Sequence, residues 1–197
     1  MTDATHVLLV LASSSPYRQS LLARLGIDFI CHAPEIDETA RPEETASQLA
    51  KRLALSKARK VAEMYPKHLI IGSDQVASME GQLLGKPGTR EQACRQLTAA
   101  SGKTLRFETG ICLFNAVSDD YQLDSVPFEV TFRNLTPLQV ERYVERDQPL
   151  DCAGSFKWES LGISLFEKMQ GEDVTALEGL PLIRLVSMLA QEGIEIP

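Results

Sequence analysis

Three Thr-x-x-Gln steps cut this chain into alternating helical stretches and apolar runs. Thr45 and Gln48, Thr89 and Gln92, and Thr136 and Gln139 each stand at the head of a helical pattern. At that spacing the threonine hydroxyl accepts from the N–H three residues on, and the glutamine reaches back to the threonine N–H. The spacing predicts helices over about 46–64, 90–100 and 137–146. A fourth start, Ser15-Pro16, opens a helix over 16–25 that Gly26 ends. Strands are expected over 7–12, 28–33 and 68–72, with a hairpin through Gly81. Two long strands, 104–117 and 121–133, flank Ser118-Asp119-Asp120 as a second hairpin. A Gly-rich segment at 154–162 leads to a strand over 163–168, and a last helix covers about 179–192. This alternation predicts an α/β fold around a mixed sheet, read as one domain of two lobes over residues 1–197.

The length suffices for a proper core, and 44% hydrophobic with 24% charged residues places the chain among soluble globular proteins. A net charge of −7 argues against broad attraction to nucleic acid. It also means that a polyphosphate would need a local basic pocket or a bound metal. No apolar stretch approaches the roughly 20 residues of a membrane span, and no basic-then-apolar leader opens the sequence. The expectation is a cytoplasmic protein without a membrane partner. Cys31, Cys94, Cys112 and Cys152 form no C-x-x-C pair, so free thiols in a reducing compartment are expected.

The first apolar run ends at Ser13-Ser14-Ser15-Pro16-Tyr17-Arg18. Unpaired N–H groups, the positive helix end and the hydroxyls there can hold an anion; the plainer reading is that Ser15 caps the helix. Asp74 follows Leu69-Ile70-Ile71-Gly72-Ser73 and is expected at the C-terminal end of that strand, where open α/β sheets bind ligands. It could hold Mg²⁺ or act as a general base toward water, or serve as a turn residue bonding its own backbone. Leu49, Leu53, Lys57 and Val61 share one helix face, so a lysine interrupts an apolar stripe. That lysine either snorkels to solvent or reaches into a cleft toward phosphate.

Asp37 and Glu38 form an acidic loop that could join Asp74 on a divalent cation or simply be solvated. Lys86 in Gly85-Lys86-Pro87 is a ligand lysine or an exposed turn residue. No Walker A motif occurs, and His6, His32 and His68 sit in no catalytic pattern. Phe156-Lys157-Trp158-Glu159 places an acid beside aromatics, an arrangement that holds a cationic ring or that packs a core edge.

Taken in order, Leu11-Ala12-Ser13-Ser14-Ser15-Pro16-Tyr17-Arg18, Ile36-Asp37-Glu38, Leu53-Ala54-Leu55-Ser56-Lys57-Ala58, Gly72-Ser73-Asp74-Gln75-Val76, Gly85-Lys86-Pro87 and Gly179-Leu180-Pro181-Leu182 resemble the Maf family of nucleotide pyrophosphatases. The resemblance implies an elongated α/β fold like that of the ITPases, with a central twisted mixed sheet, a deep cleft between two lobes, and often a homodimer. It implies cleavage of a nucleoside triphosphate between the α- and β-phosphates with Mg²⁺ or Mn²⁺. By motif position, Asp74 activates water and Glu38 assists the metal or water, so both are the implied metal ligands. Ser13, Arg18, Lys57 and Lys86 hold the triphosphate.

The sequence departs from the commoner family pattern at Tyr17, at Gln75, and at Gly154-Ser155-Phe156-Lys157-Trp158-Glu159. These departures resemble the branch acting on 7-methyl-GTP. N7-methylation makes guanine cationic, so Glu159 can pair with it while Tyr17 or Trp158 offers an aromatic face. A cation–π contact of about 0.5–2 kcal/mol gives a several-fold to thirtyfold preference. The rival expectations are a dTTP or UTP pyrophosphatase and a nucleotide-binding cell-division regulator with little catalysis.

Overall fold

The computed structural model describes residues 9–197, so Val7 and Leu8 of the first expected strand lie outside it. The strands are β1 (Leu9–Leu11), β2 (Phe29–Cys31), β3 (Leu69–Met79), β4 (Gln82–Leu84), β5 (Thr104–Asn115), β6 (Asp120–Phe132) and β7 (Phe166–Gly171). The helices are α1 (Pro16–Ala23), α2 (Ala46–Ala62), α3 (Arg90–Ala100), α4 (Pro137–Asp147) and α5 (Leu182–Gln191). The seven strands form one sheet in the order β2-β1-β3-β5-β6-β7, with β4 paired to β3. Pairing of β1 with β2 and with β3 is parallel, whereas β3–β4 and β6–β7 are antiparallel. This is the mixed sheet of an α/β fold.

Local chemistry sets the helix starts. Thr45 and Thr136 each complete a reciprocal capping box with Gln48 and Gln139. Thr89 accepts from Gln92 N at 3.2 Å. Ser15 caps α1 with Pro16 in its first turn. The Glu80-Gly81 turn joining β3 to β4 has φ of +51° and +82°, the paired left-handed residues of a type I′ hairpin.

The chain divides into two compact units. Among the described residues the first comprises 9–74, 109–126 and 173–197; the second comprises 75–108 and 127–172. In the first, alternate sheet residues serve two cores, as a two-residue period requires. Val10, Ala12, Ile70, Cys112 and Phe114 pack with Ala54, Ala58 and Val61 of α2. Leu9, Leu11, Leu69, Ile71, Ile111 and Leu113 pack with Leu21 and Leu22 of α1 and with Leu185, Met188 and Leu189 of α5. The second unit is centred on Phe132, Phe156 and Phe166, whose rings meet edge to face 4.8–5.7 Å apart; such pairs add about 0.5–1.5 kcal/mol each beyond area burial.

Two expectations are corrected. The strand expected to stop at 72 runs on to Met79, so Asp74 lies inside β3 and not at its C-terminal end. The strand expected over 163–168 begins later: Leu161–Leu165 forms a 3₁₀ turn and β7 starts at Phe166.

Candidate active site

Lys57 does not snorkel. It lies on the buried face of α2 with Leu49, Leu53 and Val61, and its side chain is only 9% exposed. A buried ammonium requires compensating charge, and two carboxylates supply it. Nζ donates to Asp74 Oδ1 at 2.5 Å and pairs with Glu38 Oε1 at 2.7 Å. Asp74 is nearly as covered, at 12%, while Glu38 is 58% exposed and marks the open side of the cluster.

Arg18 joins the same cluster. Its burial lowers the guanidinium pKa from the ordinary value, and the charges of Asp74 and Glu38 act the other way. Its Nε donates to Gly179 O at 2.8 Å, which aims the side chain across 161 residues of sequence. Ser13 is buried, and its hydroxyl oxygen accepts from Ser15 N at 3.0 Å, leaving the hydroxyl proton for another acceptor. Tyr17 is half-buried in the first turn of α1. Asp37 is exposed and accepts from Thr39 N at 2.9 Å.

The first unit therefore brings Asp74, Lys57, Glu38 and Arg18 together. Gln75, Lys86 and Glu159 belong to the second unit. Lys86 is exposed, in a turn tied down by Gln96 Nε2, which donates to Gly85 O at 3.0 Å. Glu159 is exposed beside half-buried Trp158, whose buried Nε1 has no hydrogen-bond partner.

Several supports escape sequence reading. Ser73 Oγ lies 2.8 Å from both Gly110 O and Gly179 O and shares its proton between them. Thr109 donates to Ala176 O at 2.8 Å. Arg52, five residues before Lys57, holds Glu44 through Nε at 2.6 Å and Nη2 at 2.8 Å, and donates to Thr39 O beside Glu38. All depend on partners distant in the chain or in an irregular loop, where no periodic signal exists.

The donors suit a hard divalent cation. Glu38 and Asp74 direct carboxylate oxygens at one point, now taken by an ammonium. Among the described residues no three Asp, Glu, His or Cys side chains gather around a common position. One or two carboxylates completed by substrate phosphates is the ordinary way Mg²⁺ is held.

The family model described as Maf-like protein matches residues 8–192. Relatives named 7-methyl-GTP pyrophosphatase include one from Pseudomonas savastanoi pv. phaseolicola, 57% identical over 96% of this chain and 98% of its own. One from Pseudomonas aeruginosa is 56% identical over the same shares. One from Alcanivorax borkumensis is 53% identical over the full length of both chains. With a family model spanning nearly every described element and relatives this similar end to end, the chain belongs to the Maf family.

Proposed function

We propose that this protein is a nucleoside triphosphate pyrophosphatase that cleaves 7-methyl-GTP to 7-methyl-GMP and pyrophosphate. The observation that carries the reading is Lys57, buried on an apolar helix face and held between Asp74 and Glu38. Its Nζ has three donors, two engaged by carboxylates, so the third can meet a phosphate oxygen. The names of relatives 53–57% identical support both the reaction class and the methylated nucleotide.

With Oδ1 of Asp74 engaged by Lys57, Oδ2 takes a proton from water. The water oxygen attacks the α-phosphorus, the bond to the bridging oxygen breaks, and pyrophosphate leaves. Lys57 and Arg18 stabilise charge on the phosphate oxygens through charge-assisted hydrogen bonds. Ser13 and Lys86 complete the triphosphate contacts, while Tyr17, Gln75 and Glu159 read the base. Asp74 and Glu38 would hold Mg²⁺ or Mn²⁺, whose charge helps neutralise the phosphates.

A nucleotide panel with pyrophosphate detection tests this. The kcat/KM for 7-methyl-GTP should exceed those for GTP, dTTP and UTP. Asp74→Asn should lower kcat by about 10²–10⁴-fold, the usual worth of a general base, while nucleotide binding persists. Preference for dTTP or UTP would overturn the substrate, and undiminished turnover in Asp74→Asn would overturn the base.

A further inference from the structure

The second unit contains a cavity of about 300 Å³ against one face of α4. Arg133, Arg142 and Arg146 line it, together with Asn134, Gln139 and Ser164. None of these has a role in the proposed chemistry. Positions 139, 142 and 146 share a helix face by their three- and four-residue spacing. Arg133 is held in place, since its Nε donates to Phe166 O at 2.7 Å; its two Nη groups remain for a ligand.

Among the described residues, none of the three guanidinium groups lies within ion-pair distance of a carboxylate. The acids on the same helix turn elsewhere: Glu141 acts on Cys94 of α3, Glu145 faces Arg90 at 3.9 Å, and Asp147 accepts from Ser160. Three uncompensated arginines around one cavity stand out in a chain of net charge −7. The volume is at the lower end for ligand pockets, roughly 300–1,000 Å³. Arginine's planar fork matches phosphate oxygens two at a time, and the Asn134 and Gln139 amides offer neutral donors beside it.

We infer that this cavity binds a small anion carrying two or more phosphate groups. Inorganic pyrophosphate and a nucleoside diphosphate share that chemistry and are the two probes. Each is titrated calorimetrically in 150 mM NaCl into the wild-type protein and into Arg142→Gln/Arg146→Gln, whose altered residues are exposed.

The double variant should lose one equivalent of pyrophosphate, or bind it at least tenfold more weakly, with kcat/KM for nucleotide hydrolysis within twofold of wild type. If the proposed hydrolysis is correct, the stoichiometry falls from two to one; if it fails, from one to none. Loss of the diphosphate together with pyrophosphate marks a site for any diphosphate group, and loss of pyrophosphate alone marks one for the inorganic anion. Arg142→Lys/Arg146→Lys should recover only part of the affinity. Unchanged stoichiometry and affinity in the glutamine variant overturn the site, as does wild-type binding that vanishes in 150 mM salt.

Discussion

The backbone of Gly72 lies so close beneath Ala54 that a Cβ on the glycine would stand 2.0 Å from the Ala54 carbonyl oxygen. Gly110 meets Ala50 O in the same way at 2.2 Å, one helical turn earlier. Two bare glycines thus let α2 settle directly on β3 and β5. That depth brings Lys57 within reach of Asp74.

Gly72→Ala should therefore be costly. The opposing atom is helix backbone and cannot rotate away, so the loss belongs at the upper end of the roughly 1–3 kcal/mol typical of overpacking. Gly85→Ala, where an added methyl meets nothing within 4 Å, should leave the urea midpoint nearly unchanged. Equal midpoints for both variants would refute the close-approach argument.

Lys57→Met removes the partner of a nearly buried carboxylate. Breaking such a pair costs about 3–5 kcal/mol, and the low end applies because Asp74 retains some contact with water. The double variant Lys57→Met/Asp74→Asn should regain much of that stability without regaining activity. Urea unfolding of the two single variants and the double variant measures the coupling.

Acid should loosen the segment that carries Glu38. The Arg52 hydrogen bonds hold the Glu44 carboxyl at about 2, well below its ordinary 4.5. A lowered carboxylate pKa means that the folded state favours the charged form. The clamp's contribution is complete above about pH 4.5 and is lost as the pH falls toward 2. Arg52→Met should differ from wild type in urea midpoint at pH 6, and the difference should shrink steadily below pH 4.5. A gap independent of pH would show that Arg52 acts by packing alone.

Glu159→Gln removes a charge while preserving shape. It should reduce kcat/KM for 7-methyl-GTP several-fold to about thirtyfold and leave GTP within twofold, since only the methylated base carries the positive charge. Equal losses on both nucleotides would assign Glu159 a structural role.

What the sequence made legible was local. The caps at Ser15, Thr45, Thr89 and Thr136 all appear, because a cap involves residues only three apart. The bounds of α3 match the expected 90–100. The apolar stripe through Lys57 marked the one face able to meet the sheet. The extent of β3 was hidden, since Ser73, Asp74 and Gln75 read as the end of a strand. They remain in it because the sheet continues past them, with Ala77, Ser78 and Met79 pairing with β4. The Gly-rich 154–162 segment misled for a related reason. Gly162 is needed where a Cβ would strike Lys157 O at 2.3 Å, and the chain turns there before β7 begins. Links such as Arg18 to Gly179 or Ser73 to Gly110 have no local signature.

The carbonyl of Gly179 accepts from both Arg18 and Ser73, and this convergence bears on how the protein is made. The chain leaves the ribosome from its N-terminus, so Arg18 and Ser73 emerge long before residue 179. Until residue 179 arrives, Arg18 lacks the oxygen that aims it and Ser73 has only Gly110 as an acceptor. A nascent chain short of residue 179 can hold α1 to α4 and the strands through β7 and still lack the acceptor that aims Arg18. The phosphate contact proposed for Arg18 therefore waits on the arrival of residue 179.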